Sequence, residues 1–266
     1  MSEIIQNPWT RLRSFTNARL ALGRAGDSLP TSEVLEFALA HAQARDAVHN
    51  TLDAESVARD LAAKGFKSTT VQSAAHDRAE YLRRPDLGRK LNDQSRSLLE
   101  TCHPERNEGS ASSNESRREA PSIAFIIGDG LSAIAPARHA VPVLREITRK
   151  LEDWPIAPII IATQARVALG DEIGELLKVE MTVMLIGERP GLSSPDSLGI
   201  YLTYKPRIGC TDADRNCISN VRPEGLSCEA AAHKLCYLMM EARRIGASGI
   251  ALKDGSGIRP LASPPE

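Results

Sequence analysis

Three apolar runs, Ile123–Ile127, Ile159–Ala162 and Met181–Ile186, constrain most strongly what this chain can become. They are nearly unbroken rather than alternating, which is the pattern of strands covered on both faces. Helical stretches separate them. From Ala137 to Leu151, Val141, Leu144, Ile147 and Leu151 fall at helical steps, and Asp171 to Leu177 reads as a short helix. Ile200-Tyr201-Leu202-Thr203 alternates and suggests a fourth strand. Glu229 to Arg243 follows as a long helix with Ala232, Leu235, Cys236 and Met239 inward. Strands that alternate with helices predict an α/β fold, a parallel sheet flanked by helices and joined by right-handed crossovers.

The residues before this pattern read differently. From about Asn7 to Leu99 the periodicity is mostly helical: Asn7-Pro8-Trp9 opens a turn, and Leu12, Phe15, Ala18, Leu20 and Leu22 recur loosely. Thr31-Ser32-Glu33 starts a helix with Val34, Leu35, Ala38 and Leu39 on one face. Val57, Leu61 and Ala62 mark a third, ended by Lys64-Gly65. Between Thr101 and Pro121 almost every residue is polar, too few apolar groups to offset the entropy of ordering. The expected organisation is a helical N-terminal region over 1–100, a low-complexity surface loop or insertion over 101–121, the sheet domain over 122–254 and a flexible tail over 255–266.

Composition excludes several classes of function. A formal charge of -1 across 266 residues argues against a general nucleic-acid binder, and aromatics at 4% disfavour a base-stacking platform. No stretch reaches about 18 uncharged apolar residues, so no membrane span is expected. Met1 to Asn17 lacks the apolar core of a secretory signal. The five cysteines, Cys102, Cys210, Cys217, Cys228 and Cys236, are odd in number and show no zinc-knuckle spacing. The expected compartment is therefore reducing and cytoplasmic.

In parallel sheets, ligands sit beyond the carboxyl ends of the strands. Gly128-Asp129-Gly130-Leu131-Ser132-Ala133, Gln164-Ala165-Arg166-Val167 and Gly187-Glu188-Arg189-Pro190-Gly191 fall there. Asp212 to Asn220 reads as a polar loop after the fourth strand. The first of these fits G-x-G-x-x-A, so a stand-alone NAD(P)-binding oxidoreductase is the alternative function. Against it, Asp129 stands where a pyrophosphate would approach. Asp129 and Glu188 read instead as acceptors for amide or hydroxyl donors, with an ion pair to Arg189 the competing use of Glu188. Cys217 has no histidine near it in sequence and reads as a packing residue. The arginines of Tyr81-Leu82-Arg83-Arg84-Pro85-Asp86-Leu87-Gly88-Arg89 read as a solvated turn, or as an anion or partner contact. The six histidines form no catalytic set, and there is no phosphate loop, nucleophile elbow or H-E-x-x-H pair. A binding crevice without acids and bases suggests a subunit that holds a cofactor while a partner does the chemistry; a scaffold without cofactor is a third reading.

Several blocks, in order, carry a family resemblance. They are Gly23-Arg24-Ala25-Gly26, Leu82 to Arg89, Gly128-Asp129-Gly130-Leu131-Ser132, Ala165-Arg166-Val167, Gly187-Glu188-Arg189-Pro190-Gly191-Leu192, Asp214-Arg215-Asn216-Cys217-Ile218-Ser219-Asn220 and Ala247-Ser248-Gly249-Ile250. Together they resemble the small (light) subunit of ethanolamine ammonia-lyase. The resemblance implies an adenosylcobalamin-dependent complex converting ethanolamine to acetaldehyde and ammonia. It implies a Rossmann-like domain in this chain and a large barrel subunit as partner, which carries substrate and the radical-handling residues. It implies cofactor contacts at Val167, Glu188 and Cys217, no catalytic residue and no metal ligand in this chain. D-x-H-x-x-G is missing, so the cofactor's own base is expected to stay on cobalt. A bacterial microcompartment is the family's alternative housing within the cytoplasm.

Overall fold

The computed structural model describes residues 8–16, 18–101, 122–151 and 154–257. The polar stretch from 102 to 121, with Cys102 and His103, and the tail from 258 lie outside them. A six-stranded sheet organises the rest. Its strands are β1 (Ser68–Gln72), β2 (Ile123–Gly128), β3 (Ile159–Thr163), β4 (Met181–Gly187), β5 (Leu198–Tyr204) and β6 (Arg215–Val221), in the spatial order β1-β3-β2-β4-β5-β6. Seven helices accompany it: α1 (Thr31–His49), α2 (Ala54–Ala63), α3 (Arg78–Arg83), α4 (Asp93–Thr101), α5 (Ile134–Thr148), α6 (Leu169–Leu176) and α7 (Cys228–Ile245). No described helix is long and apolar enough to cross a membrane.

Every residue of β2 and β4 is buried, as continuous apolar runs require of central strands. Alternate side chains enter two cores. Ile123, Phe125, Ile127, Ile159, Ile161, Val183 and Leu185 pack with α2, α5 and α7 on one face. Ala124, Ile126, Ile160, Ala162, Met184 and Ile186 pack with α4 and α6 on the other. α7 turns Ala232, Leu235, Cys236 and Met239 inward, caps its start with Ser227, and ends at Gly246 in the left-handed conformation that glycine tolerates.

The expected parallel sheet requires correction: the sheet is mixed. β1, β3, β2 and β4 run parallel, whereas β5 and β6 are antiparallel to their neighbours. The cause is the connections. Residues 188–197 contain no helix and 205–214 only one short 3-10 turn, so each chain segment simply returns beside the strand it left. The polar segment Asp212–Asn220 is also not a loop. After the turn Asp212–Asp214 it becomes β6, with Arg215, Ile218 and Val221 buried and polar residues outward. The N-terminal region supplies a strand as well as helices: β1 pairs with β3 over its whole length. Leu12 and Phe15 do not continue a helix, since only a 3-10 segment, Pro8–Ser14, forms there, and Val34, Leu35 and Leu39 are exposed on α1.

The connections from β2 and β3 leave toward opposite faces, through α5 and α6. Such a divergence opens a crevice at the carboxyl edge of a sheet.

Candidate functional site

The loops after β2, β3 and β4 are locked together before any ligand is considered. Gly130 has φ of +57°, and a Cβ there would lie 2.1 Å from the carbonyl oxygen of Gly187. A Cβ on Gly187 would in turn lie 1.9 Å from the carbonyl oxygen of Ser132. The two glycines let backbone pass against backbone. The Leu131 N–H, which a dinucleotide would need, donates to the Gly187 carbonyl at 3.0 Å. The G-x-G-x-x-A turn is thus a packing device, and the NAD(P) reading loses its one support.

Asp129 is fully buried, which corrects its expected role as a ligand acceptor. Its carboxylate accepts from the backbone N–H of Gln164 at 2.9 Å and of Ala165 at 2.8 Å, and from Arg78 Nη1 at 3.3 Å. Burial pushes its pKa up, against the Ala165 N–H and the Arg78 charge. Gln164 sits at φ +55°, a left-handed conformation that these bonds hold in place. From the other side Tyr81, fully buried at the end of α3, donates its hydroxyl to the Ala165 carbonyl at 3.0 Å. The Arg166 N–H donates to the Gly88 carbonyl at 2.8 Å. The loop that carries Val167 is therefore fixed by groups from two distant parts of the sequence, residues 78–88 and Asp129. Within the basic turn, Arg84 pairs with Asp86 at the surface and Arg83 bonds the Ala79 carbonyl, so the turn's arginines are local, and its glycine carbonyl does the positioning.

A crevice of about 520 Å³ opens between these loops. Leu131, Val167, Ile186 and Tyr201 give it apolar walls, and Arg166, Glu188, Arg189 and Ser219 supply polar edges. Glu188 Oε2 accepts from the Ser197 hydroxyl and from the Asn220 N–H at 3.2 Å. Among the described residues no hydrogen bond reaches Oε1, and no lysine or arginine lies within 4 Å, so the ion pair with Arg189 is not formed. Glu188 is thus oriented by one oxygen and keeps the other available.

Cys217 does not line the crevice. It lies beside it, exposed on β6, directly across from Tyr201 on the neighbouring strand β5. Partial desolvation of the sulfur beside Tyr201 raises the thiol pKa, which favours the protonated form. Burial, then Cys217 and Glu188, raises the Tyr201 phenol, so both groups are neutral. Two of the three expected site residues, Val167 and Glu188, meet at one cavity, and the third touches it through Tyr201. Sequence reasoning missed Tyr81, Tyr201 and Ser219 as wall residues and gave Arg166 no role. Tyr201 carried a signal, the alternation of its strand; Tyr81 carried none, because its partners are 84 and more residues away.

Past Glu188 the same end of β4 leads into Arg189-Pro190-Gly191-Leu192, closed by a turn between Gly191 and Ser194. Buried His139 bonds Asp196 at 3.1 Å, Ser132 bonds the Pro195 carbonyl at 2.7 Å, and Arg222 bonds the Ser193 carbonyl at 2.9 Å. These contacts seat the connection that returns to β5 and brings Ser197 to Glu188.

Comparison with known proteins finds relatives over nearly the whole length. The family described as "Ethanolamine ammonia-lyase light chain (EutC)" matches residues 6–253. The ethanolamine ammonia-lyase small subunit of Azotobacter vinelandii is 52% identical over 262 residues, covering 98% of this chain and 93% of that protein. That of Pseudomonas putida strain GB-1 is 51% identical, covering 97% and 91%, and that of Ralstonia nicotianae is 52% identical, covering 96% and 91%. The chain belongs to the ethanolamine ammonia-lyase light chain family, the small subunit of that lyase.

Proposed function

We propose that this chain is the cofactor-holding subunit of an adenosylcobalamin-dependent ethanolamine ammonia-lyase, and that its crevice grips one edge of the corrin. A larger partner subunit carries substrate and performs the conversion of ethanolamine to acetaldehyde and ammonia. The parallel half of the sheet serves as a Rossmann-like platform for this grip. The four free thiols among the described residues, Cys210, Cys217, Cys228 and Cys236, agree with a cytoplasmic setting.

The carrying observation is Glu188, a carboxylate oriented by Ser197 and Asn220 with Oε1 left over at the crevice. The donor set suits a corrin. A corrin is a broad apolar ring fringed with amides; Val167, Leu131, Ile186 and Tyr201 offer apolar surface, Glu188 accepts from amide N–H, and Ser219 both donates and accepts. A volume of about 520 Å³ holds an edge of such a ring and leaves the remainder for a second chain to cover. When bound, adenosylcobalamin supplies radical chemistry. This chain's residues would hold it: Glu188 would accept from an amide N–H, and Val167 and Tyr201 would offer it apolar surface and exclude water.

The test is cobalamin titration of the complex assembled with its large subunit. Glu188→Ala is expected to weaken binding by about 1–3 kcal/mol, the range for a lost charge-assisted hydrogen bond. Cys217→Ser, beside the crevice rather than in its lining, is expected to cost less. Unchanged affinity in an intact Glu188→Ala complex would contradict the reading.

A further inference from the structure

We propose that Arg166 is the phosphate-recognition residue of the crevice and takes the phosphodiester in the nucleotide tail of the cofactor. This rests on the corrin reading above and goes beyond it, because it assigns a second, oppositely charged part of the ligand to a residue with no role so far.

Arg166 stands out among the arginines. Buried Arg78 has Asp129, buried Arg215 has Asp171, and buried Arg222 has Asp196 and Glu224 within 4 Å. Half-exposed Arg96 has Glu172. Arg166 is partly buried and, among the described residues, has no carboxylate within that distance, although Glu188 lines the same cavity. The one hydrogen bond its side chain makes among the described residues is to the Tyr81 carbonyl, 3.5 Å from Nη2, at the far limit of such a bond. Its Nε is buried and has no partner. A guanidinium in this setting carries an uncompensated charge and unused donors.

Its position is nevertheless fixed. The backbone N–H is held by the Gly88 carbonyl, and the side-chain stem crosses Gly88 so closely that a Cβ there would come within 2.9 Å of Arg166 Cγ. The guanidinium carbon lies 4.4 Å from the centre of the Tyr81 ring. Stacking and shape hold it at the crevice wall without using its donors, which is the arrangement of a preorganised anion receptor. Of the groups on cobalamin, the amides are neutral and the phosphodiester is anionic. An amide oxygen satisfies a donor and leaves the charge; a phosphodiester satisfies both. Val167, the next residue, then lies beside the portion of the cofactor attached to that phosphate.

The test compares two corrinoids on the assembled complex by absorbance titration. Cyanocobalamin carries the nucleotide tail, and dicyanocobinamide keeps the ring and amides without it. Arg166→Gln is expected to weaken cyanocobalamin about 10- to 100-fold and dicyanocobinamide less than about threefold, with Arg166→Lys intermediate. Equal weakening of both ligands, or of neither, overturns the assignment. Independently of any variant, the phosphorus resonance of cyanocobalamin is expected to shift on binding to the wild-type complex; an unshifted resonance in the saturated complex also overturns it. If Glu188→Ala changes neither affinity, the corrin reading itself fails. If Glu188→Ala weakens both ligands while Arg166→Gln shows no preference, only the phosphate assignment fails.

Discussion

Along the crevice rim the loops are held by partners from elsewhere in the chain: Asp129 holds Gln164 and Ala165, Tyr81 holds Ala165, Gly88 holds Arg166 and Ser197 holds Glu188. Along residues 8–49 the reverse is true of apolar groups. Phe15, Val34, Leu35, Phe37 and Leu39 are exposed, and the 19 residues of α1 bury only Glu33 and Ala47. What ties this region together is ionic, Arg13 to Glu33 at 2.8 Å and Arg19 Nη2 to the Glu33 carbonyl at 2.7 Å. One region is held in shape by contacts from elsewhere in the chain; the other keeps apolar surface that no described residue covers. A site that must place a large cofactor needs the first kind of construction, because loose loops lose binding energy to ordering.

The largest expected effect strikes the crevice rim. Asp129→Ala removes the acceptor of two backbone N–H groups and leaves Arg78 buried without its charge partner. Losing one member of such a pair costs about 3–5 kcal/mol. Urea denaturation should show that loss, and the crevice should lose corrinoid affinity with it. A cost under about 1 kcal/mol would mean that the rim is not held as the contacts suggest.

A smaller effect comes from the second buried pair, Asp171 on α6 with Arg215 on β6. Burial lifts the Asp171 pKa to about 6, against the pull of Arg215. The sign follows from linkage. A carboxyl raised above its unfolded value near 3.8 binds a proton more readily when folded. Its contribution to stability is full below pH 4 and is lost as the pH rises through 6. The difference between wild type and Asp171→Asn is therefore expected to shift on the order of 2 kcal/mol between pH 4 and pH 7, with wild type losing relative stability. Parallel stability–pH curves for the two proteins would remove this assignment.

The contrast also explains which parts were legible in the sequence. β2, β3 and β4 were visible because central strands must be apolar throughout, and α7 because its inward positions recur at helical steps. β1 was not, since Ser68-Thr69-Thr70-Val71-Gln72 is an edge strand that buries only Val71. β6 was not, because Arg-Asn-Cys-Ile-Ser-Asn-Val hides three side chains among polar ones. The antiparallel half could have been inferred from connections too short for a crossover helix. At the site, loop position brought Glu188 and Val167 to one edge, and family resemblance singled them out. Asp129 was misread because its partners lie 35 and 36 residues away, and an acidic residue in a glycine turn looks the same whether it faces ligand or backbone. Long-range pairing is the information a single sequence withholds most.

The smallest expected effect belongs to the N-terminal region and is the sharpest check on the contrast. Leu35 is 64% exposed on α1, far from both cores. Leu35→Ser removes little apolar surface that folding had covered, so the stability of the isolated chain should change by no more than about 0.5 kcal/mol, as for other surface substitutions. Urea denaturation at several protein concentrations reads both the size of the effect and its origin. A loss above about 1 kcal/mol that does not vary with concentration would mean that α1 packs on its own chain more closely than its exposed side chains indicate. A loss that grows with concentration would mean that a second copy covers the face in solution, since only association makes apparent stability depend on concentration. Either result would erase the contrast between the two regions; a null result beside a large loss for Asp129→Ala would uphold it.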